Sequence, residues 1–217
     1  VYKRQAVLGA DIVVHSITKF ISGASDVIAG AICGTEGFIG ELMDLHMGPL
    51  MLLGPTMDPT IAAGISLRLP HLPLRIKAHS ERALAMTSRL QELGLKVCYP
   101  GLPDHPDHKL FAELHCDEYG YGGVFTLDVG DEDKANALMS CLQNEQRFGY
   151  LAVSLGYFDT LMSCSGSSTS SELTEEDKAS AGISPGLLRI SIGYTGTLEQ
   201  RWTQLLAALR HTGLVPA

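Results

Sequence analysis

The first group in this chain equipped to do chemistry is a lysine preceded by two hydroxyls: Lys19 follows Ser16 and Thr18 by three residues and one. A primary amine that is neutral part of the time condenses with an aldehyde and afterwards serves as base toward a carbon acid. Desolvation at the end of a buried strand lowers a lysine pKa toward that state. The two short hydroxyls can hold a phosphate beside the amine without taking its place, and Gly23, Ala24 and Ser25 keep the far side of the segment narrow. A second candidate is Arg189, which alternates with Ile190 and Ile192. That parity turns it away from the core face, and its guanidinium fork matches a carboxylate in bidentate fashion. From residue types alone, a solvated loop lysine and a solvated arginine on an open sheet face are the favoured readings.

The elements that must position these residues come from hydrophobic periodicity. Short β-branched or small apolar runs over 11–14 and 27–33 predict two buried strands with the polar lysine loop pinned between them. Apolar spacing at Phe38, Ile39, Leu42 and Met43 predicts a helix within 36–47. The apolar stretch 50–57, interrupted by Gly54-Pro55, reads as a buried loop or helix start facing a site or a subunit interface. Pro70 and Pro73 precede a helix over 74–93 with Ile76, Ala83, Met86, Leu90 and Leu93 on one face. A domain boundary is placed there, dividing 1–70 from 71–217. Beyond it come strands over 96–99, 123–129, 150–154, 160–163 and 187–193. They are interleaved with helices that include 131–143 and a last one ending at Arg210. Thr174 with Asp177 and Thr197 with Gln200 read as helix caps. This order predicts a small α+β domain whose sheet carries helices on one face.

Composition narrows the function. With 45% apolar and 18% charged residues the chain is globular, and no run approaches the roughly 18 apolar residues of a membrane span. A formal charge of -8 without Lys/Arg clusters argues against nucleic acid or an anionic membrane surface and leaves small molecules or other proteins as partners. Five scattered cysteines (33, 98, 116, 141 and 164), mostly in apolar runs, read as reduced core thiols and a cytoplasmic setting. There is no Cys-x-x-Cys pair, and His105 and His108 lie in a loop broken by Pro103 and Pro106, so no metal site is expected. The serine-rich stretch 163–171 lacks a Gly-x-Ser-x-Gly elbow. The opening run 1–5 differs in character from the residues after it and is expected to be a non-native junction, with the chain starting inside a domain.

Ser16-Ile-Thr-Lys19 followed by Ser22-Gly-Ala-Ser-Asp26 resembles the Ser-x-Thr-Lys…Gly-x-x-Asp signature of the Cys/Met-metabolism enzymes, which depend on pyridoxal 5'-phosphate and have fold type I. Gly9-Ala-Asp-Ile-Val-Val-His-Ser16, Tyr99-Pro-Gly-Leu102, Ala152-Val-Ser-Leu-Gly156 and Gly186-Leu-Leu-Arg-Ile-Ser-Ile-Gly193 match in family order. The stretches 50–57, 119–123 and 161–171 most resemble plant-type methionine γ-lyases among its members. The resemblance implies an α/β fold, with the C-terminal part of the large cofactor domain followed by a smaller α+β domain. It implies Lys19 as the residue that carries the cofactor, Ser16 and Thr18 on its phosphate, and Ser154 and Arg189 on the substrate's α-carboxylate. It further implies α,γ-elimination on L-methionine, or cystathionine or O-acylhomoserine chemistry in a differently shaped pocket, and a homo-oligomer that is a dimer of dimers. The pattern departs at Ala24, where many relatives have His, and at Ser163-Cys164, where they have His-Pro; the pocket for the leaving group is therefore left unspecified. The family's glycine-containing phosphate loop, ring-stacking tyrosine and pyridine-binding aspartate belong to an upstream half that these residues do not include. The isolated chain is accordingly expected to lack half of its site.

Overall fold

The computed structural model describes residues 4–166 and 172–216. Residues 1–3 of the expected junction and most of the serine-rich stretch lie outside the described residues. Strands β1 (Val13–Ser16) and β2 (Gly30–Cys33) form an antiparallel ribbon with Val13 opposite Cys33 and Ser16 opposite Gly30. Helix α1 (Glu36–Leu42) starts where the Thr35 hydroxyl accepts from the Phe38 amide. After α2 (Pro49–Leu53), helix α3 (Pro59–Arg68) begins with proline in its first turn and the Asp58 carboxylate accepting from the amides of Thr60 and Ile61. These are the side-chain caps that orphan amides at a helix start require. The long α4 (Leu72–Glu92) comes next.

The remainder builds one sheet and its cover. In chain order come β3 (Lys96–Cys98), α5 (His108–Leu114), β4 (Val124–Asp128), α6 (Glu132–Asn144), β5 (Gly149–Leu151), β6 (Thr160–Cys164), α7 (Glu175–Ser180), β7 (Leu187–Ser191) and α8 (Leu198–His211). The five strands lie in the order β3-β4-β7-β6-β5, antiparallel throughout except for the β5–β6 pair. The Thr174 and Thr197 hydroxyls accept from the amides of Asp177 and Gln200, which fixes the starts of α7 and α8.

Period-2 alternation gives the sheet two unlike faces. Phe125, Leu127, Leu188, Ile190, Met162 and Cys164 point into one core together with residues of α4, α6 and α8. That core takes all its members from Ala83 onward. Each large apolar side chain buried there contributes about 1.5–3 kcal/mol. Their in-register neighbours Thr126, Arg189 and Ser163 therefore form a polar row on the opposite face. The sequence periodicity and the structure agree on helices covering one face only.

Four expectations are corrected. The ribbon strands are not buried: Val14 is 75% exposed and Ile32 41%, because a two-stranded ribbon cannot cover its own faces and no other described strand joins it. The apolar stretch after Gly48 does start a short helix, but it is not buried in this chain, Leu52 and Leu53 being largely exposed. Of the five cysteines only Cys141 and Cys164 are buried, whereas Cys33 and Cys98 lie at strand positions open to solvent. Leu93, expected on the buried face of α4, caps the helix and is partly exposed. Among the described residues no helix is long and apolar enough to cross a membrane.

Candidate functional site

The segment between β1 and β2 is a tight turn, Ile17–Ile21, in which Lys19 departs from helical backbone angles (φ -86°, ψ -125°). Its amides are committed on both sides. Those of Ile17 and Thr18 donate to the Ala29 carbonyl, and those of Ser22 and Gly23 donate to the carbonyls of Ile17 and Lys19. The Thr18 hydroxyl accepts from the Ala29 amide at 3.0 Å and donates to the Ala29 carbonyl at 3.3 Å, so a side chain continues the strand pairing where the backbone turns away.

Helix α4 holds the turn from below. Arg75, buried, donates to the carbonyls of Phe20 (2.6 Å) and Ile21 (2.8 Å), while its Nε donates to His71 Nδ1 at 3.0 Å. Gly23, at φ +74°, has no room for a Cβ because the Arg75 guanidinium occupies that space. On the outer side Asp26 and Arg68 form a bidentate pair at 2.6 Å, joined by the Ser22 hydroxyl. Arg68 holds the Asp26 carboxyl down at about 2. The pair is partly exposed, so its main effect is to position the turn against α3.

The loop after β5 closes over the top. Gly156 (φ +80°) lies so near the turn that a Cβ would press on the backbone of Lys19 and Phe20. Its amide donates to the Ser191 hydroxyl at 3.0 Å, and the Phe158 amide donates to the Gly23 carbonyl. This contact brings the amine to its partner: Lys19 Nζ donates to Ser154 Oγ at 2.9 Å across 135 residues of sequence. From the polar face of β7, Arg189 donates to the carbonyls of Val153 (2.7 Å) and Ser154 (3.2 Å). Partial burial pulls its guanidinium pKa somewhat below the ordinary value. Lys19, Ser154 and Arg189 thus meet at one point, although three separate segments supply them.

Beside that point opens a cleft of about 590 Å³ lined by Thr18, Ser25, Ser154, Tyr150 and Tyr157 among others. Ser16 is exposed at the end of β1 and does not line it. Tyr157 packs on Phe158 with ring centroids 4.0 Å apart, and burial pushes its phenol pKa up. Residue types and spacing did not single out Arg75, Gly156, Tyr150 or Tyr157. For Arg75 a signal existed: Leu72, Arg75, His79, Ala83, Met86 and Leu90 are all buried on one stripe of α4, and a polar residue on such a stripe must have partners.

His79 on the same stripe is fully buried, its ring edge-on to Phe20 and Tyr194. Nδ1 lies 2.5 Å from the Ile192 carbonyl and so carries the proton, which leaves Nε2 as a buried atom with no partner. Burial pushes the His79 pKa down to about 4 from 6.5. A folded value below the unfolded one means this contribution is complete above pH 6.5, declines as pH falls from 6.5 to 4, and is constant below. The loss amounts to on the order of 3 kcal/mol. His79→Asn keeps a donor for the Ile192 carbonyl and removes the titration, so its melting temperature should fall less steeply than wild type between pH 6.5 and 4. Parallel slopes in the two proteins would refute this assignment.

Comparison with known proteins gives a consistent picture. A family model described as Cys/Met metabolism PLP-dependent enzyme matches residues 1–201. The chain is 60% identical over 199 residues to methionine gamma-lyase of Arabidopsis thaliana, covering 92% of this chain and 45% of the relative. It is 33% identical to the chloroplastic cystathionine gamma-synthase 1 of the same plant, covering 86% of this chain and 32% of that one. Among solved structures, cystathionine gamma synthase from Xanthomonas oryzae pv. oryzae in complex with cystathionine superposes with a TM-score of 0.82 at 33% identity, over 98% of this chain and 53% of that one. The chain therefore spans about half the length of the relatives it matches.

Proposed function

Because the chain belongs to the Cys/Met metabolism PLP-dependent enzyme family, we propose that it is part of a lyase acting on L-methionine. The reaction is α,γ-elimination: the Cγ–S bond breaks, and with water the products are methanethiol, 2-oxobutanoate and ammonia. The observation that carries this reading is the meeting of Lys19 Nζ, Ser154 Oγ and Arg189 beside the cleft.

The donor set suits pyridoxal phosphate, whose aldehyde needs a primary amine and whose phosphate needs short donors. Among the described residues, Lys19 is the one amine at the cleft's edge with a hydroxyl to orient it. Thr18 can keep the bond it accepts from the Ala29 amide while its O–H, now on a long 3.3 Å bond, turns to a phosphate. Ser16, the second hydroxyl that the family pattern assigns to the phosphate, is exposed at the end of β1 and does not line the cleft, so the geometry supports Thr18 alone. When bound, the cofactor supplies the electron sink that makes the substrate's α-proton removable. Lys19 then takes that proton and moves protons between Cα and Cβ, with Ser154 steering the amine. Arg189, fixed by the Val153 carbonyl, grips the α-carboxylate and sets which substrate bond faces Lys19.

The relatives' greater length supports placing the remaining site residues outside this chain, and we infer that the chain alone is inactive. The same reading sets the boundary between the large and small domains near residue 70, in the short link between α3 and α4. It also makes the exposed Leu52 and Leu53 a subunit contact in a dimer of dimers. The five scattered cysteines, without a Cys-x-x-Cys pair, favour a cytoplasmic enzyme.

Chemistry on cystathionine or O-acylhomoserine is a second reading, favoured by the likeness to a synthase solved with cystathionine. It uses the same lysine and arginine. Full-length protein offered methionine, cystathionine and O-acetylhomoserine separately should release 2-oxobutanoate from methionine; release only from the other two would establish the second reading in its place.

A further inference from the structure

On the side of the small domain where α6 and α8 end, Cys141, Glu145 and His211 bring their ligand atoms within 4.8 Å of one another. We propose that these three side chains form a zinc site that clips the C-terminal ends of α6 and α8 together, with water as the fourth ligand.

Cys141 and Glu145 stand one helical turn apart, at the last turn of α6 and at its cap, so both side chains leave the same face. His211 is the last residue of α8, the helix packed on α6. Cys141 Sγ lies 3.6 Å from Glu145 Oε2, and His211 Nε2 lies 3.9 Å from that same oxygen. Tetrahedral zinc, with bonds of roughly 2.3 Å to sulfur and 2.0–2.1 Å to nitrogen or oxygen, needs ligand atoms about 3.3–3.6 Å apart. Small rotations of the exposed Glu145 and His211 side chains close the difference.

The electrostatics favour a cation at this place. Two helices present their C-terminal ends here, each equivalent to about half a negative charge. Glu145 adds a full one. In the absence of metal the Cys141 thiol is kept protonated by burial and by the neighbouring Glu145. Binding replaces the S–H bond by an S–Zn bond and releases that proton to solvent, with no change of oxidation state. Sulfur, imidazole nitrogen and carboxylate oxygen together suit zinc better than calcium or magnesium. Among the described residues this is the only such group of three, and none of its members lines the lysine cleft.

The experiment uses reduced, full-length protein loaded with its cofactor, stripped of metal, and titrated with Zn²⁺ against a chromophoric chelator. One zinc per chain is expected. Cys141→Ser and His211→Ala should each weaken binding by at least ~100-fold, since loss of a ligand exceeds the 10–100-fold cost of losing an outer-shell partner. Zinc should raise the melting temperature of wild type but not of His211→Ala, and Co²⁺ in its place should give the visible bands of a tetrahedral thiolate complex. Absence of stoichiometric zinc, or equal affinity in wild type and His211→Ala, would overturn the proposal. The His211 side chain is 64% exposed, so this variant keeps the test clear of misfolding.

Discussion

Lys19→Ala in the full-length protein should abolish release of 2-oxobutanoate from methionine, lowering turnover by on the order of 10³-fold or more. The expectation rests on two tasks performed by one atom. In the proposed reaction Nζ would both attach the cofactor and move the substrate's protons, and its hydrogen-bond partner Ser154 lines the cleft. Lys19→Arg separates charge from chemistry: it keeps a cation near Ser154, but a guanidinium stays protonated and cannot attach or act as base. It should be as inactive as the alanine variant. Borohydride reduction of the cofactor-loaded protein followed by peptide mapping should label Lys19 in wild type and leave the 15–26 segment unlabelled in both variants. Retained turnover in either variant, or a label on another lysine, would remove Lys19 from the centre of the mechanism.

The second large effect is expected at Arg189. Removing one member of a desolvated charge pair costs about 2–5 kcal/mol, so Arg189→Ala should lower kcat/KM for methionine by roughly 30- to 5,000-fold. Arg189→Lys should recover little, because a point charge cannot reproduce the fork that reaches both the Val153 carbonyl and a carboxylate. A merely structural role would look different. It would disturb the 153–156 loop, move Ser154 away from Lys19, and thereby reduce cofactor attachment. The measurements that separate the two are borohydride labelling of Lys19, which should stay at wild-type level, and the affinity for an amine lacking a carboxylate, which should not change. If labelling is lost in parallel with activity, Arg189 positions the loop and does not bind substrate.

Both predictions depend on residues whose types were legible and whose meeting was not. The lysine with its two hydroxyls and the outward parity of Arg189 could be read directly, because each is a property of a few neighbouring residues. The same holds for α4, whose apolar stripe repeats with the helical period, and for Thr174 and Thr197, which cap helices through their own nearest amides. A cap or a period needs only local geometry, so local sequence suffices.

What the tertiary structure decided is which distant segments share a space. The 2.9 Å contact of Lys19 with Ser154 exists because Gly156 lets the loop after β5 settle on the lysine turn, and because Ser191 on β7 holds that loop. The place of Arg75 on the apolar stripe of α4 signals that it needs partners but not which, and only with α4 beneath the turn does its guanidinium meet the carbonyls of Phe20 and Ile21. The converse error has the same origin. Strands over 13–16 and 30–33 are apolar enough to look buried, but burial requires a partner layer, and composition cannot say whether one is present. Residue type and spacing therefore nominated the candidate groups and most of the elements that carry them, and the family resemblance supplied the chemistry expected of them. The assembly of amine, hydroxyl and guanidinium into one site came from packing, which acts between residues that the chain itself keeps far apart.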